Sequence, residues 1–270
     1  MFAESRVRDE LGILEYPRDI ELRKQYGFIE ESFDHPAKMN LYLLQDLIEY
    51  TTKPGDRIMD VTAGSGSVLI ACKLGRKVVA IDLNPLFIGW MNQSAVKMGL
   101  VPTDYTILEG DCRDYLPLPC SSIIFSPPYS NMLHAGGGIL NREKLGGQLK
   151  EYSGDTGVVY DPDQYIGTNP KNLGVLPEFR FNQAMEQIYK KCFDSVQPGG
   201  ALSLIIKDRM MQQKIRPLGW QSLQMMQAAG WVLDTWATWD APGMQFKNIH
   251  KAQGHKVIES EHILIVRRPA

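Results

Sequence analysis

The sequence predicts an α/β fold, a mostly parallel sheet covered by helices on both faces. Three observations predict it. Short β-rich runs alternate with stretches of helical periodicity from about residue 38 to residue 230, the pattern of parallel strands joined by crossover helices. A glycine-rich turn, "DVTAGSGSV" (60–68), joins the first strand to the helix after it. The last two strands, "WVLDTWATW" and "HILIVRR", have no helical run between them, so they predict an antiparallel pair at one edge.

The elements follow in order. Residues 1–34 are polar and irregular, an arm or cap with no structure assigned. In "PAKMNLYLLQDLIEYTTKPGD", Met39, Leu43, Leu44, Leu47 and Ile48 fall at helical spacing, and the helix stops before "KPGD". "RIMDV" is a strand and "SVLIACKLG" a helix closed by Gly75. "KVVAID" leads to the helix "PLFIGWMNQSAVKMG", with Pro85 in its first turn and Gly99 past its end. "DYTILEGD" and "SSIIFS" are the third and fourth strands. Residues 130–176 hold nine glycines and little periodicity; so long an irregular insertion in a compact domain is read as functional or mobile. A helix around 179–195, the strand "GGALSLIIKD" and a helix around 217–229 closed by Gly230 come next. A basic loop, "DAPGMQFKNIHKAQGHKVIES", joins the two late strands.

The chain has 270 residues, 44% hydrophobic and 22% charged, which fits one large soluble domain over 35–270. The start, "MFAESRVRDELGILEYPRD", lacks an apolar signal core, and no run approaches the roughly 20 apolar residues of a membrane span. A cytoplasmic location is the expectation. Cys72, Cys112, Cys120 and Cys192 form no CxxC pair and are read as reduced and mostly buried thiols. The net charge is −2. Acidic residues exceed basic ones in residues 1–130 and the balance reverses in 131–270, so a polyanion would meet the second half.

Asp60 closes the first strand, and Gly64 and Gly66 allow a tight turn with a ligand close to the backbone. The helix beginning near Ser67 points free N–H groups at the same place. Asp82 ends the second strand, where an acid can accept ribose hydroxyls, and Asp111 ends the third. Carboxyl ends of adjacent parallel strands face one crevice, so the three acids are expected to converge there. Phosphate would be repelled. Leu69 stands where GxGxxG needs its third glycine, and the Walker lysine is missing. S-adenosylmethionine, with a sulfonium, an amino group, a ribose and no phosphate, fits this set better than NAD or ATP.

The fourth strand runs into "FSPPY" (125–129) at the same crevice. Prolines cannot continue a strand ladder, so the corner needs another use. The exocyclic amine of a nucleobase is a poor nucleophile because its lone pair is delocalised into the ring. Two acceptors aimed at its hydrogens favour a tetrahedral nitrogen. The Ser126 hydroxyl and the Pro127 carbonyl can supply them, Pro127 and Pro128 keep the corner rigid, and Tyr129 offers a face for the base.

"FSPPY", with "DVTAGSGSV" upstream, resembles the amino-methylating DNA methyltransferases, which modify cytosine N4 or adenine N6. "KPGDRIMDVTAGSGSVLIACKLGRKVVAIDLNP" resembles the family's cofactor core, and "NLGVLPEFRF", "SVQPGGALSLIIKD", "PLGWQSLQMMQAAGW" and "EHILIVRRP" resemble later family segments. The resemblance implies a Rossmann-like methyltransferase with a seven-stranded, mostly parallel sheet and an antiparallel final strand. It implies that "FDHPAKM", with His35, Pro36 and Ala37, closes over the methionine end of the cofactor. It adds Thr62, Ala63, Ser65, Leu83 and Cys112 to the cofactor set beside Asp60, Gly64, Gly66, Asp82 and Asp111. Double-stranded DNA becomes the expected substrate, reached by base flipping. A cognate restriction endonuclease or a specificity partner is the expected associated protein. Serine at the first corner position favours cytosine N4. Adenine N6 and an RNA amine are the alternatives, and a non-catalytic cofactor-binding protein comes last. The family often carries Pro-Phe after Asp60, where Val61 and Thr62 stand, and no separate target-recognition domain of usual size follows the core. Residues 131–178, the 241–258 loop or a partner must then read the target.

Other features are read more plainly. Cys120 precedes the fourth strand, unlike a cytosine-C5 nucleophile, and is read as a buried thiol. His134, His250 and His255 lack metal-ligand spacing, and no metal is expected. Lys207 and Asp208 end the fifth strand, and Lys207, Arg209 after it, and Lys247 and Lys251 in the basic loop are candidate substrate contacts. Lys207 and Asp208 pairing with each other is the other reading. Trp220, Trp231, Trp236 and Trp239 are assigned to core packing, with Trp239 alone near enough to a loop to touch nucleic acid.

Overall fold

The computed structural model describes residues 2–35, 38–128, 169–211, 214–240, 258 and 260–270. Seven strands form one sheet: β1 (Arg57–Asp60), β2 (Lys77–Asp82), β3 (Tyr105–Glu109), β4 (Cys120–Phe125), β5 (Val196–Ile206), β8 (Val232–Trp239) and β9 (Glu261–Arg267). Their order is β3-β2-β1-β4-β5-β9-β8. β1 to β5 pair in parallel, and β9 inserts between β5 and β8, antiparallel to both. The carboxyl ends of five neighbouring strands therefore open on one edge, with the chain reversal between β1 and β4 at its centre.

The strands bury both faces, because their side chains alternate between two cores. Ile58, Ala80, Ile124, Ala201, Ile205, Ile263 and Ile265 belong to one. Met59, Val79, Ile81, Ile123, Phe125, Leu202, Leu204, Leu264 and Val266 belong to the other. Helices α2 (Leu41–Thr51), α3 (Ile70–Lys73) and α4 (Pro85–Lys97) cover the first face. Helices α5 (Cys112–Tyr115), α6 (Glu178–Ser195) and α7 (Leu218–Ala228) cover the second. Asn40 caps α2, its side chain accepting from the Tyr42 and Leu43 N–H groups, and Asn84 caps α4 ahead of Pro85. α6 buries Phe181, Ala184, Met185, Ile188, Tyr189 and Cys192 along one stripe, the spacing of an amphipathic helix.

Four local readings need correction. The arm is not merely polar: Ile20–Tyr26 forms helix α1, and Phe2, Leu14, Tyr16, Phe28 and Phe33 join the first core. Their spacing is aperiodic, so no window of sequence shows the face they share. Leu14 even extends the sheet, its N–H donating to the Thr238 carbonyl at 2.8 Å. The helix expected from Ser67 begins as a 3-10 turn, Ser67–Leu69, before α3. Between β5 and α7 stands an unforeseen hairpin, β6 (Arg209–Met211) with β7 (Lys214–Arg216); strands of three residues carry too little pattern to read. Trp220 and Trp236 are 50% and 38% exposed, whereas Trp231 and Trp239 are buried. Most of the glycine-rich insertion and of the basic loop lies outside the described residues.

Candidate active site

The site is assembled at the carboxyl ends of β1, β2 and β4. Asp60 ends β1, buried, and accepts the Thr62 N–H at 3.0 Å. Burial pushes its carboxyl up to about 8; the Thr62 N–H opposes the rise and the charge of Asp82 adds to it. Asp82 ends β2 and accepts the Gly64 N–H at 2.7 Å and the Asn84 N–H at 2.9 Å, one on each oxygen. Burial raises its pKa, against the Asn84, Gly64 and Leu83 amides. With three amides bound, about one of the carboxylate's four acceptor positions stays open. Two acids whose ionisation is disfavoured by burial suit a cationic ligand, whose charge favours their ionised form.

Asp111 differs from that pair in its ionisation. It caps α5, and both its oxygens accept from Arg113, at 2.6 to 3.1 Å. Burial raises its pKa, but the Arg113 hydrogen bonds and charge win and hold it below the ordinary range. Arg113 also donates to the Lys171 carbonyl at 3.0 Å, which fastens the chain after the insertion to this acid. Cys112 is buried and its thiol pushed up to about 12, chiefly by that burial. Burial does the same to Cys120, so it is no thiolate nucleophile at neutral pH.

The glycine loop is packed from behind. Gly64 has φ +52° and Gly66 φ +80°, backbone that disfavours any side chain. A Cβ on Gly64 would lie 2.7 Å from His35 Nε2, and one on Gly66 2.5 Å from Met91 Cγ. His35 thus covers the loop, its ring 4.5 Å from that of Phe87. Burial, then the charges of Lys38 and Arg23, hold its imidazole neutral, with a pKa of about 3. Ala63, Ser65 and Ser67 are buried within the loop, and the Ala63 N–H donates to the Ile81 carbonyl at 2.9 Å.

Two contacts were invisible in the sequence. The Thr62 hydroxyl donates to the Ser126 carbonyl at 3.2 Å. It joins the glycine loop to the corner across two neighbouring strand ends. Arg23, 1% exposed, pairs with Asp19 at 2.9 Å and donates to Ser67 Oγ at 3.1 Å and to the Met39 carbonyl at 2.5 Å. It ties the arm to the turn behind the loop; nothing in a polar arm marks one arginine as buried.

Ser126 and Pro128 are partly exposed and Pro127 buried. Tyr129, Pro36, Ala37, Lys247 and Lys251 lie outside the described residues. Lys207 does not pair with Asp208. Burial raises the Glu261 carboxyl and the charge of Lys207 opposes that rise, while Asp208 holds His262 at 3.2 Å. Arg209 opens the hairpin, directly opposite Arg216. A cleft of about 580 Å³ lies at the amino ends of the strands, lined by Arg57, Lys77, Cys120 and Ser195 among others, and neither the glycine loop nor the corner borders it. Among the described residues no cluster of three or more His, Cys, Asp or Glu is placed to hold a metal, and no helix is long and apolar enough to cross a membrane.

Residues 15–92 match the family model described as DNA methylase. The chain is 32% identical over 94 residues to the ribosomal protein L11 methyltransferase of Thermus thermophilus, covering 34% of this chain and 35% of that protein. It is 30% identical over 100 residues to the tRNA (guanine(10)-N2)-dimethyltransferase of Methanothermobacter thermautotrophicus, covering 36% and 29%. The matched parts span about a third of these curated relatives. Among solved structures, TrmN from Thermus thermophilus superposes with a TM-score of 0.54 at 15% identity, over 92% of this chain and 53% of that one. The fold is that of the Rossmann-like class I methyltransferases, and the match over residues 15–92, which spans the glycine loop and Asp82, supports the amino-methylating DNA methyltransferase family with S-adenosylmethionine as cofactor.

Proposed function

We propose that this chain methylates an exocyclic amino group of a base in DNA, with cytosine N4 as the acceptor. The observation that carries the reading is the Thr62–Ser126 hydrogen bond, which couples the cofactor loop to the Ser-Pro-Pro corner. When bound, S-adenosylmethionine supplies a methyl group on a sulfonium, with S-adenosylhomocysteine as the product. Asp82 offers an acceptor to the ribose and Asp60 compensates positive charge. Ser126 Oγ and the Pro127 carbonyl accept the two amine hydrogens and turn the nitrogen lone pair out of the ring plane. The nitrogen carries its positive charge only after it has bonded the methyl carbon, and it then sheds a proton to water, so no strong base is required. Pro127 and Pro128 hold the acceptors in place, so little reorganisation is needed. The base reaches this corner by leaving its duplex, at a cost of a few kcal/mol.

A second reading, an amine on RNA, is favoured by one finding, the 30% identity to a tRNA guanine-N2 dimethyltransferase. One experiment separates the two. Tritiated S-adenosylmethionine is incubated with mixed-sequence duplex DNA and, separately, with RNA, and the labelled nucleoside is identified by mass. N4-methylcytosine is the expected product. N6-methyladenine would keep the chemistry and overturn the base; label in RNA alone would overturn the DNA assignment. Ser126→Ala should keep cofactor affinity and lose most turnover, and near-normal turnover would remove the acceptor role of Ser126.

A further inference from the structure

Two of the four late tryptophans are not core residues. Trp220, on the first turn of α7, and Trp236, on the edge strand β8, stack with ring centroids 6.1 Å apart and planes at 21°. Both are open to solvent. The pair is braced from behind. Trp236 Nε1 donates to His262 Nδ1 at 3.2 Å. With Nδ1 accepting, the imidazole proton sits on Nε2, 3.2 Å from Asp208 Oδ1. The same Asp208 oxygen accepts the Gly219 N–H at 3.1 Å. A Cβ at Gly219 would stand 2.4 Å from His262 Cδ2, so the glycine lets the start of α7 come down on the imidazole. A hydrogen-bonded chain of this kind fixes an exposed aromatic surface, where ordinary solvated tryptophans are single and loosely held.

The neighbouring charges say what the surface meets. The β6–β7 hairpin leaves the sheet one residue after Asp208 and returns two residues before α7. Lys214, Ile215 and Arg216 are exposed on it. Arg216 stands directly opposite Arg209, so the two strands of the hairpin together carry a cluster of positive charge. The hairpin rises from β5, which pairs with β4, the strand that ends in the Ser126 corner. Cations that track a phosphate backbone beside flat aromatic rings are the chemistry of single-stranded nucleic-acid contact.

We propose that Trp220 and Trp236, with Lys214 and Arg216, form a platform for the nucleic-acid strand flanking the target base, an unpaired base stacking on the indoles and its phosphates lying along the hairpin. This rests on the nucleobase reading above and extends it to the part of the chain that grips the substrate.

The test measures binding of a fluorescein-labelled oligonucleotide, duplex and single-stranded, by anisotropy over a salt series, beside turnover on the same DNA and calorimetry of S-adenosylmethionine. Trp220→Leu should weaken oligonucleotide binding about tenfold, raise KM for DNA and leave cofactor affinity unchanged. Lys214→Ala with Arg216→Ala should lower the slope of log affinity against log salt by about two. Wild-type binding that survives both changes intact overturns the platform while leaving the nucleobase reading standing. A wild type that neither binds nor methylates nucleic acid overturns both. Loss of self-association in Trp220→Leu, seen by sedimentation with oligonucleotide binding unaltered, overturns the platform by giving the surface to a second copy of the chain.

Discussion

Binding of S-adenosylmethionine should expel most of a proton at neutral pH. In the cofactor-free chain Asp60 sits at about 8, raised first by burial and then by the charge of Asp82, with the Thr62 amide opposing. At pH 7 such a group is about nine-tenths protonated. An opposite charge brought within a few ångströms lowers a carboxyl by about one to three units. A fall of about two units leaves about a tenth protonated, so roughly 0.8 proton is released and the coupling is worth about 2.7 kcal/mol. Calorimetry at pH 7 in buffers of different ionisation enthalpy reads this number as the slope of observed enthalpy. S-adenosylhomocysteine, which lacks the sulfonium but keeps the ammonium, should release less. Affinity for S-adenosylmethionine should rise with pH towards 8, because the ionised carboxyl is the form that binds. The cofactor-free fold should behave oppositely, losing stability as pH rises from about 4 through 8, since the folded chain holds a proton that the unfolded chain does not. A binding enthalpy independent of buffer, or a slope unchanged in Asp60→Asn, would refute the reasoning.

Three further outcomes follow from the contacts around the loop. Thr62→Val removes the hydroxyl that holds the Ser126 carbonyl; turnover should fall about fivefold, the equivalent of one hydrogen bond of about 1 kcal/mol, with cofactor affinity unchanged by calorimetry. Gly64→Ala must adopt φ +52° and displace His35; strain alone costs about 1–2 kcal/mol, and S-adenosylmethionine should bind at least about tenfold more weakly, unchanged affinity showing that the loop relaxes freely. Arg23→Ala leaves Asp19 without its partner in a largely buried place; urea denaturation should report a loss of about 3–5 kcal/mol, and a midpoint equal to that of the wild type would show that the arm contributes no stability.

The sheet was legible because its strands carry their own signal. "KVVAID" and "SSIIFS" are short, β-rich and bounded by turn residues, and the helix after "KVVAID" does begin at Pro85, as its sequence indicates. The glycine loop, Asp60 and Asp82 were legible for the same local reason: a strand end, a turn and a helix start are neighbours in sequence. Asp111 was found, but not its neutralisation by Arg113, because residue identity does not say which carboxylate a nearby arginine will choose. Trp231 and Trp220 look alike in sequence and differ in burial, 2% against 50%, since exposure depends on what packs opposite.

By itself, then, the sequence determined the alternation of the seven sheet strands with their helices, the glycine turn after β1 and the residue types placed at the Ser126 corner. These are fixed by backbone propensity and by residues close together along the chain. The tertiary structure alone decided that Thr62 holds Ser126, that Arg23 braces Ser67 across 44 residues, that the arm enters the core, and that Trp236 is anchored through His262 to Asp208. Each of those contacts joins segments far apart in sequence, whose meeting depends on how the sheet stacks its strands and how closely a glycine lets two elements approach.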